Sequence, residues 1–412
     1  MFLARGHTCK KQDLTPDYTL RMPDGRQART RIASVDVLRG IVVVLMAIDH
    51  VRVFSGLPAG GPTLGIFATR WITHFVAPVF VFLAGTSAFL HGRKLQDRRA
   101  LSRFLLTRGL WLVLLELTVI RLCWTFNLDY ANYLLAGVIW VIGWSMVVLA
   151  GLVFLPIRAI GTFGVGLIAG HNVMDFLARP HLEAIRASRF GWLWGLGYFA
   201  FEVEGAGPLV VLYSLIPWIG VMAAGYAFGT IFTVDAARRR RICLQLGTIA
   251  VLLFVILRAF NVYGDPRHWQ PAPSALQTVF SFVNTSKYPA SLLFLLMTLG
   301  PAILLLPFLE RPSTGIARAL EVFGRVPMFY YLLHIPLIHV LAIVVSLLRS
   351  GSVSPWLFAN HPMGNGPPPP GYTWSLWLLY LVTGVAVGIL YVACRWFARV
   401  KSESRRWWLS YL

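Results

Sequence analysis

About ten apolar runs, each close to 20 residues long, constrain the fold of this chain more than any other feature of its sequence. A bilayer core about 30 Å thick is crossed by about 20 apolar residues in a helix. Because lipid offers the backbone no hydrogen-bond partners, such runs form helices rather than irregular structure. The sequence therefore predicts an all-α, polytopic integral membrane bundle of about ten transmembrane helices. The predicted spans are residues 35–54, 70–91, 104–121, 134–157, 161–177, 207–232, 242–260, 288–309, 326–348 and 374–397.

The composition and the charge distribution agree with a membrane bundle. Of the 412 residues, 57% are hydrophobic and 13% are charged, whereas soluble domains carry roughly 25% charged residues. These fractions exclude a soluble enzyme. The net charge of +20 comes mainly from Lys and Arg in the loops, and their distribution places both termini in the cytoplasm because cytoplasmic loops retain such residues. Topology thus accounts for the basic loops, and we expect the lipid bilayer, not nucleic acid, as a partner.

Three segments follow from this topology: a cytoplasmic N-terminal segment (1–34), a transmembrane domain (35–398) and a cytoplasmic C-terminal tail (399–412). The N-terminal segment is too long and polar for a simple signal peptide, so the first run is expected to remain as a membrane helix. The four cysteines are widely separated and form neither a CxxC pair nor a Cys/His cluster at zinc spacing. We therefore expect no disulfide framework and no metal site.

The first predicted span carries ionisable residues near both ends. Asp36 and Arg39 are spaced for a local ion pair near the cytoplasmic surface, where they form either an interfacial anchor or part of a site. Asp49 and His50 lie in the outer half of the span, where an unpaired charge costs several kcal/mol. Neighbouring helix residues point about 100° apart, so one of the two is expected to act while the other pairs, for instance Asp49 with Arg52. Eleven residues separate Arg39 from His50, roughly 16 Å of helix rise.

Other polar residues collect at the same outer level when the spans are threaded through this topology. A single residue of this kind is more often a satisfied buried group than a ligand, and His334 could be one. Several on one level indicate a polar cavity that opens outward. These residues are His74, Asn127, Asp129, His171, Asn172, Asp175, Asn284, Lys287 and His334.

Several short motifs, taken together and in order, resemble a known group of membrane proteins. The group comprises bacterial proteins related to the catalytic domain of heparan-alpha-glucosaminide N-acetyltransferase, within the transmembrane acyltransferase superfamily. Arg39 and His50 also have the R-x10-H spacing typical of that superfamily's O-acyltransferases. The resembling motifs are Ser34-Val35-Asp36 to Arg39-Gly40, Phe75 to Phe82 with Gly85 and Ser87, His171-Asn172 with Asp175, Asn284 with Lys287-Tyr288-Pro289, and Phe323 to Pro327 with Leu333-His334.

The resemblance implies acyl transfer across the membrane, with acetyl-CoA entering from the cytoplasm and a sugar-like amine or hydroxyl as acceptor on the outer side. A histidine could remove the proton of the acceptor or carry the acyl group briefly. The expected catalytic residues are His50, Asp49, His171 and Asp175. Arg39 and Asp36 are expected to bind the donor, and His74, Asn172, Asn284, Lys287 and His334 the acceptor. The resemblance also implies the inner membrane of a bacterium, and it leaves a homo-oligomer open.

Two other functions compete with the acyltransferase. The first is a transporter or exporter of a small polar substrate with a polar site near the midplane of the membrane, which Gly and Pro breaks near Pro217 and Pro336 support. The second is a non-catalytic membrane partner or assembly factor. Binding of coenzyme A at the inner face separates the acyltransferase from the transporter, because an acyltransferase needs coenzyme A and a transporter has no reason to bind it.

Overall fold

The computed structural model describes residues 32–61, 63–199, 208–310 and 314–404, and residue 409. The N-terminal segment predicted at 1–34 lies almost entirely outside this part, and so does the end of the predicted C-terminal tail. The structure is 75% helical, as the apolar runs predict.

Long helices and one pair of short strands make up the described part of the chain. Short 3-10 turns and π turns join several of the helices. In chain order the elements are α1 (Ala33–Phe54), α2 (Leu64–Ile72), α3 (Val76–Leu95), α4 (Arg98–Leu115), α5 (Arg121–Thr125), β1 (Leu134–Ala136), α6 (Val138–Leu152), α7 (Ile157–Gly170), α8 (Val173–Leu177), α9 (Leu182–Ala187), α10 (Gly191–Trp194), β2 (Leu209–Val211), α11 (Leu215–Phe228), α12 (Ala236–Phe260), α13 (Ala275–Val283), α14 (Leu292–Leu305), α15 (Gly315–Arg325), α16 (Pro327–Ser350) and α17 (Leu376–Glu403).

Six helical stretches in the described residues are long and apolar enough to cross a bilayer. The protein is therefore a multipass integral membrane protein. Each of the ten predicted spans overlaps a helix, but the number of membrane crossings and the side on which the termini lie remain predictions. The six stretches are Leu64–Leu95, Leu215–Thr233, Ala236–Phe260, Leu292–Leu309, Pro327–Ser350 and Leu376–Glu403.

Polar side chains fix where several helices begin. The Ser291 side chain accepts a hydrogen bond from the backbone N–H of Phe294 at the start of α14. Ser375 does the same for α17, and Thr314 does so for α15. Each cap supplies a partner to a backbone donor that the first helical turn leaves free, which is worth about 1 kcal/mol.

Glycine allows α1 and α15 to approach closely. A Cβ atom at Gly324 would overlap the backbone carbonyl of Asp36, and one at Gly40 would overlap the carbonyl of Leu320. Small residues at such crossings let helices pack backbone to backbone, which is a main source of association in lipid. The position of α1 in the bundle therefore depends on two glycines. Comparable close approaches occur at Gly85 and Gly225, at Gly109 and Gly143, and at Gly247 and Gly300.

Strands β1 and β2 pair in parallel, with Leu134 opposite Leu209 and Ala136 opposite Val211. Each strand precedes a helix that carries an apolar span, α6 after β1 and α11 after β2. Irregular backbone at membrane depth requires internal hydrogen bonds or contact with a cavity. The strand pair supplies those bonds, and it allows α6 and α11 to begin next to the polar cavity described below.

Candidate functional site

A cavity of about 320 Å³ lies at the end of α1 that carries Asp49 and His50. Its walls are the last turns of α1, the loop that follows, the segments around β1 and β2, and the loop between α16 and α17. The volume is at the lower end of the range for small-molecule sites. The ionisable residues on its walls are Asp49, His50, Arg52, Arg70 and Glu116.

His50 and His334 form a hydrogen-bonded pair of stacked imidazoles. The His50 Nδ1 atom lies 2.7 Å from His334 Nε2, and the ring centroids are 4.8 Å apart. His334 Nδ1 lies 2.7 Å from the carbonyl oxygen of Tyr331. Because a carbonyl oxygen only accepts, Nδ1 of His334 carries its proton, and its Nε2 accepts from Nδ1–H of His50. In a neutral pair, Nε2 of His50 therefore keeps its lone pair, as a general base requires.

Asp49 is bound to two cations rather than to its neighbour His50. Its Oδ1 atom lies 3.1 Å from Nη2 of Arg52, and its Oδ2 atom lies 3.8 Å from Nζ of Lys287. Lys287 is buried, and its ammonium group also lies over the ring of Tyr288. Asp49 thus holds the C-terminal end of α1 against the loop that carries Lys287.

Glu116 is a cavity residue that the sequence analysis missed. It is buried and begins a π turn, Glu116–Ile120, between α4 and α5, a feature that recurs at functional sites. Its Oε2 atom accepts a hydrogen bond of 3.1 Å from the backbone N–H of Ile139 in the first turn of α6. A Cβ atom at Gly137 would overlap Oε1. The signal was present in the sequence, since Glu116 is the acidic residue inside the third predicted span.

His171, Asn172 and Asp175 lie together, but they are not among the residues that line the cavity. Nε2 of His171 is 2.8 Å from the carbonyl oxygen of Ala290, and Oδ1 of Asn172 accepts the backbone N–H of Leu292. Asp175 accepts from the Asn172 side chain and pairs with Arg179. These contacts fasten the end of α7 to the start of α14. They support a positioning role, while the catalytic role expected for His171 and Asp175 remains a prediction.

A buried carboxylate organises the loop that carries Lys287. Asp265 accepts hydrogen bonds from the backbone N–H and the hydroxyl of Ser286 and from the hydroxyl of Ser291. From the other side, the guanidinium of Arg258 donates to the backbone carbonyls that end α13, among them the carbonyl of Asn284. The loop therefore presents Lys287 to Asp49 in a fixed conformation.

Replacing Asp265 with alanine is expected to lower the free energy of unfolding by about 3 kcal/mol, because four donors, the backbone N–H of Arg267 included, lose a charged acceptor in a buried site. The thermal unfolding midpoint of the detergent-solubilised protein measures this loss. Asp235→Ala is the matched control, since Asp235 is exposed and only caps α12, a contact worth about 1 kcal/mol. Equal shifts for the two variants would contradict the organising role of Asp265.

Asp36 and Arg39 lie at the other end of α1 from the cavity. Arg39 Nη1 is 3.1 Å from Asp36 Oδ1, and Nη2 donates to Ser87 and to the carbonyl of Leu83 on α3. The Arg39 side chain is 17% exposed. The pair links α1 to α3 and leaves part of the guanidinium accessible.

The loop between α16 and α17 closes one wall of the cavity, and His361 anchors this loop. His361 is fully buried, and its Nε2 atom lies 3.0 Å from the carbonyl of Trp356. Burial lowers the pKa of His361 to about 4, so this ring is neutral at physiological pH. Trp356 and Pro362 from the same loop line the cavity.

The structure thus divides the predicted site residues into three groups. Asp49 and His50 line the cavity. His334 is hydrogen-bonded to His50, and Lys287 forms an ion pair with Asp49. His74 is buried near Phe294, and the cluster around His171 lies elsewhere. Asp36 and Arg39 are at the opposite end of α1. Among the described residues, no group of three His, Cys, Asp or Glu side chains could hold a metal ion.

Residues 31–260 match the family described as heparan-alpha-glucosaminide N-acetyltransferase, catalytic. The match covers more than half of the chain. The chain belongs to this family. The match confirms the resemblance seen in the motifs and indicates a membrane acetyltransferase type of function. It includes His50, Asp49 and Glu116, whereas Lys287 and His334 lie beyond it. No curated protein matches the chain.

Proposed function

We propose that the protein transfers an acetyl group from cytoplasmic acetyl-CoA to an amine or hydroxyl group of a carbohydrate-like acceptor in the outer cavity. The observation that carries this proposal is the His50–His334 pair, which leaves a basic nitrogen on a residue of the cavity wall. The family match supports the acetyl group and its donor. The resemblance supports the inner membrane of a bacterium as the location.

The proposed reaction is a direct transfer assisted by a general base. Nε2 of His50 takes the proton of the acceptor nucleophile as that atom attacks the carbonyl carbon of the thioester. The C–S bond breaks, and the thiolate of coenzyme A takes the proton from His50. His334 holds His50 in the required tautomer through Nδ1. A positioned base of this kind contributes about 10²- to 10⁴-fold to the rate.

The donor is proposed to reach His50 from the Arg39 end of α1, roughly 16 Å away along the helix. Arg39 can offer a cation to a phosphate of coenzyme A. Its Nη atoms are already bonded to Asp36, Ser87 and Leu83, so phosphate binding requires exchange of at least one of these contacts. Asp36 therefore acts on the donor through Arg39.

The remaining predicted residues fit supporting roles in this proposal. Asp49 orients the outer end of α1 through Arg52 and Lys287. Lys287 belongs to the charged surroundings of the cavity, His74 is buried against Phe294 beside them, and His334 acts through His50. Asn172 holds the backbone at Leu292, and the backbone carbonyl of Asn284 is itself held by Arg258.

A transporter is the second candidate function. Helices α6 and α11 begin beside the cavity and do not extend past it. Helix starts near a central polar site are typical of transporters with discontinuous helices. Glu116 already binds the first turn of α6, which leaves that helix end less available to a transported anion.

Binding of acetyl-CoA to the purified protein in detergent tests the proposal. We expect micromolar affinity by calorimetry and weaker binding of dephospho-coenzyme A, because this analogue lacks the 3′-phosphate that would pair with a cationic side chain of the protein. Arg39→Ala is expected to weaken acetyl-CoA binding about 10-fold. Arg103→Ala, which removes an exposed arginine on α4, is the matched control.

Absence of acetyl-CoA binding by a folded, monodisperse sample would overturn the proposal and direct the next experiment to substrate uptake into vesicles. Equal affinities of the Arg39 and Arg103 variants would instead remove Arg39 from the donor site and leave the acyltransferase assignment in place.

A further inference from the structure

Arg70 presents a guanidinium group to the cavity without a protein partner in the described residues. The residue is on α2, only partly exposed, and on the cavity wall. Its Nε and Nη1 atoms are fully buried and make no hydrogen bond there. Buried polar atoms almost always have partners, so an unpaired guanidinium at a cavity indicates that something else completes it.

The cationic side chains around the cavity outnumber the anionic ones, and Arg70 is the cation without an ion-pair partner in the described part of the chain. The Asp49 carboxylate is shared by Arg52 and Lys287, and Glu116 faces the backbone amides at the start of α6. Arg52, Arg70 and Lys287 therefore outnumber Asp49 and Glu116 by one cation, even with both carboxylates ionised. A surplus cation inside a membrane bundle is costly unless it is paired.

We infer that the acceptor carries an oxyanion, a phosphate or a carboxylate, which pairs with Arg70 in the cavity. The inference rests on the proposed acyl transfer and names the class of its acceptor, an acidic sugar derivative. A guanidinium suits this ligand because its planar fork of N–H groups matches two oxygens of a phosphate or carboxylate.

The position of Arg70 relative to His50 explains what the pairing does for the reaction. Both residues line the same cavity of about 320 Å³, which has room for one sugar unit and a small charged group. An oxyanion bound to Arg70 would hold that unit at one wall, with an amine or hydroxyl group directed to Nε2 of His50. Arg70 is thus an acceptor-binding residue rather than a catalytic one.

Binding of paired sugar probes to the full chain in detergent tests the inference. The probes are glucosamine 6-phosphate against glucosamine, and glucuronate against glucose. We expect each probe with an acid group to bind about 10- to 100-fold more tightly than its partner without that group, and Arg70→Gln to remove that preference. Arg70→Lys is expected to retain part of it, because a single ammonium keeps the charge but loses the fork.

Two controls accompany the variants. Arg189→Gln removes an exposed arginine outside the cavity lining and is expected to keep the preference for anions. Thermal unfolding of Arg70→Gln should match or exceed that of the unmodified protein, since the change removes a buried cation that lacks a protein partner.

The outcomes separate this inference from the proposed function. Equal binding of sugars with and without the acid group by a protein that binds acetyl-CoA would overturn the inference alone. A loss of acetyl-CoA affinity in Arg70→Gln, with sugar binding unchanged, would assign Arg70 to the donor phosphates and also overturn it. Arg70-dependent binding of anionic sugars without any acetyl-CoA binding would uphold the anion site and overturn the acyl transfer.

Discussion

Replacing His50 with alanine is expected to lower the rate of acetyl transfer by about 10²- to 10⁴-fold, because the acceptor loses its general base. The affinity for acetyl-CoA should change little, since the donor is proposed to bind at the opposite end of α1. Initial rates of transfer from labelled acetyl-CoA to glucosamine 6-phosphate, together with donor binding by calorimetry, measure the two quantities separately.

His91→Ala is the matched control for this experiment. His91 lies near the end of α3 that is remote from the cavity, with its ring against Phe104, so its loss should leave the transfer rate within a factor of two or so. A His50 variant with full activity would remove this residue from the reaction. If His171→Ala abolished transfer in a stable protein while the His50 variant did not, the general base would belong to the cluster around His171.

Replacing Gly324 with alanine is expected to lower the free energy of unfolding by about 3 kcal/mol or more, although it adds one methyl group. The added Cβ would overlap the backbone carbonyl of Asp36, and a backbone atom cannot move aside as a flexible side chain can. Either α15 or α1 must shift, and α1 carries both His50 and Arg39. The thermal midpoint and the yield of monodisperse protein measure the effect.

Gly388→Ala serves as the comparison, because nothing lies within 4 Å of a Cβ atom at this exposed position of α17. Alanine is the better helix former by about 1 kcal/mol, so this variant should be as stable as the original or more so. If the Gly324 and Gly388 variants had the same thermal midpoint, helices α1 and α15 could move apart without loss of stability.

The sequence predicts the helices well because each apolar run carries its own signal. Lipid forces such a run into a helix whatever its neighbours are, so the position of α1 or α16 follows from local composition alone. The pair Asp49-His50 could be singled out for the same reason, since ionisable residues are rare within spans. Strands β1 and β2 could not, because three residues are too few to show a period.

The partners of the site residues could not be predicted, because they depend on how distant helices pack. Nothing in the residues around His50 indicates that its Nδ1 faces His334. The predicted topology groups His171 and Asn172 with the other outer polar residues, but it does not indicate that their polar atoms bond to the backbone around Ala290 and Leu292. Nothing in the sequence distinguishes Arg70 from the other arginines, because the lack of hydrogen bonds at its Nε and Nη1 atoms depends on the folded structure.

The pairing of His50 with His334 also joins two distant parts of the chain. The two rings are separated by 284 residues, so a ribosome has synthesised most of the protein before α1 can meet the second ring. In the proposed reaction, the tautomer of His50 is therefore fixed only after α16 has packed against α1.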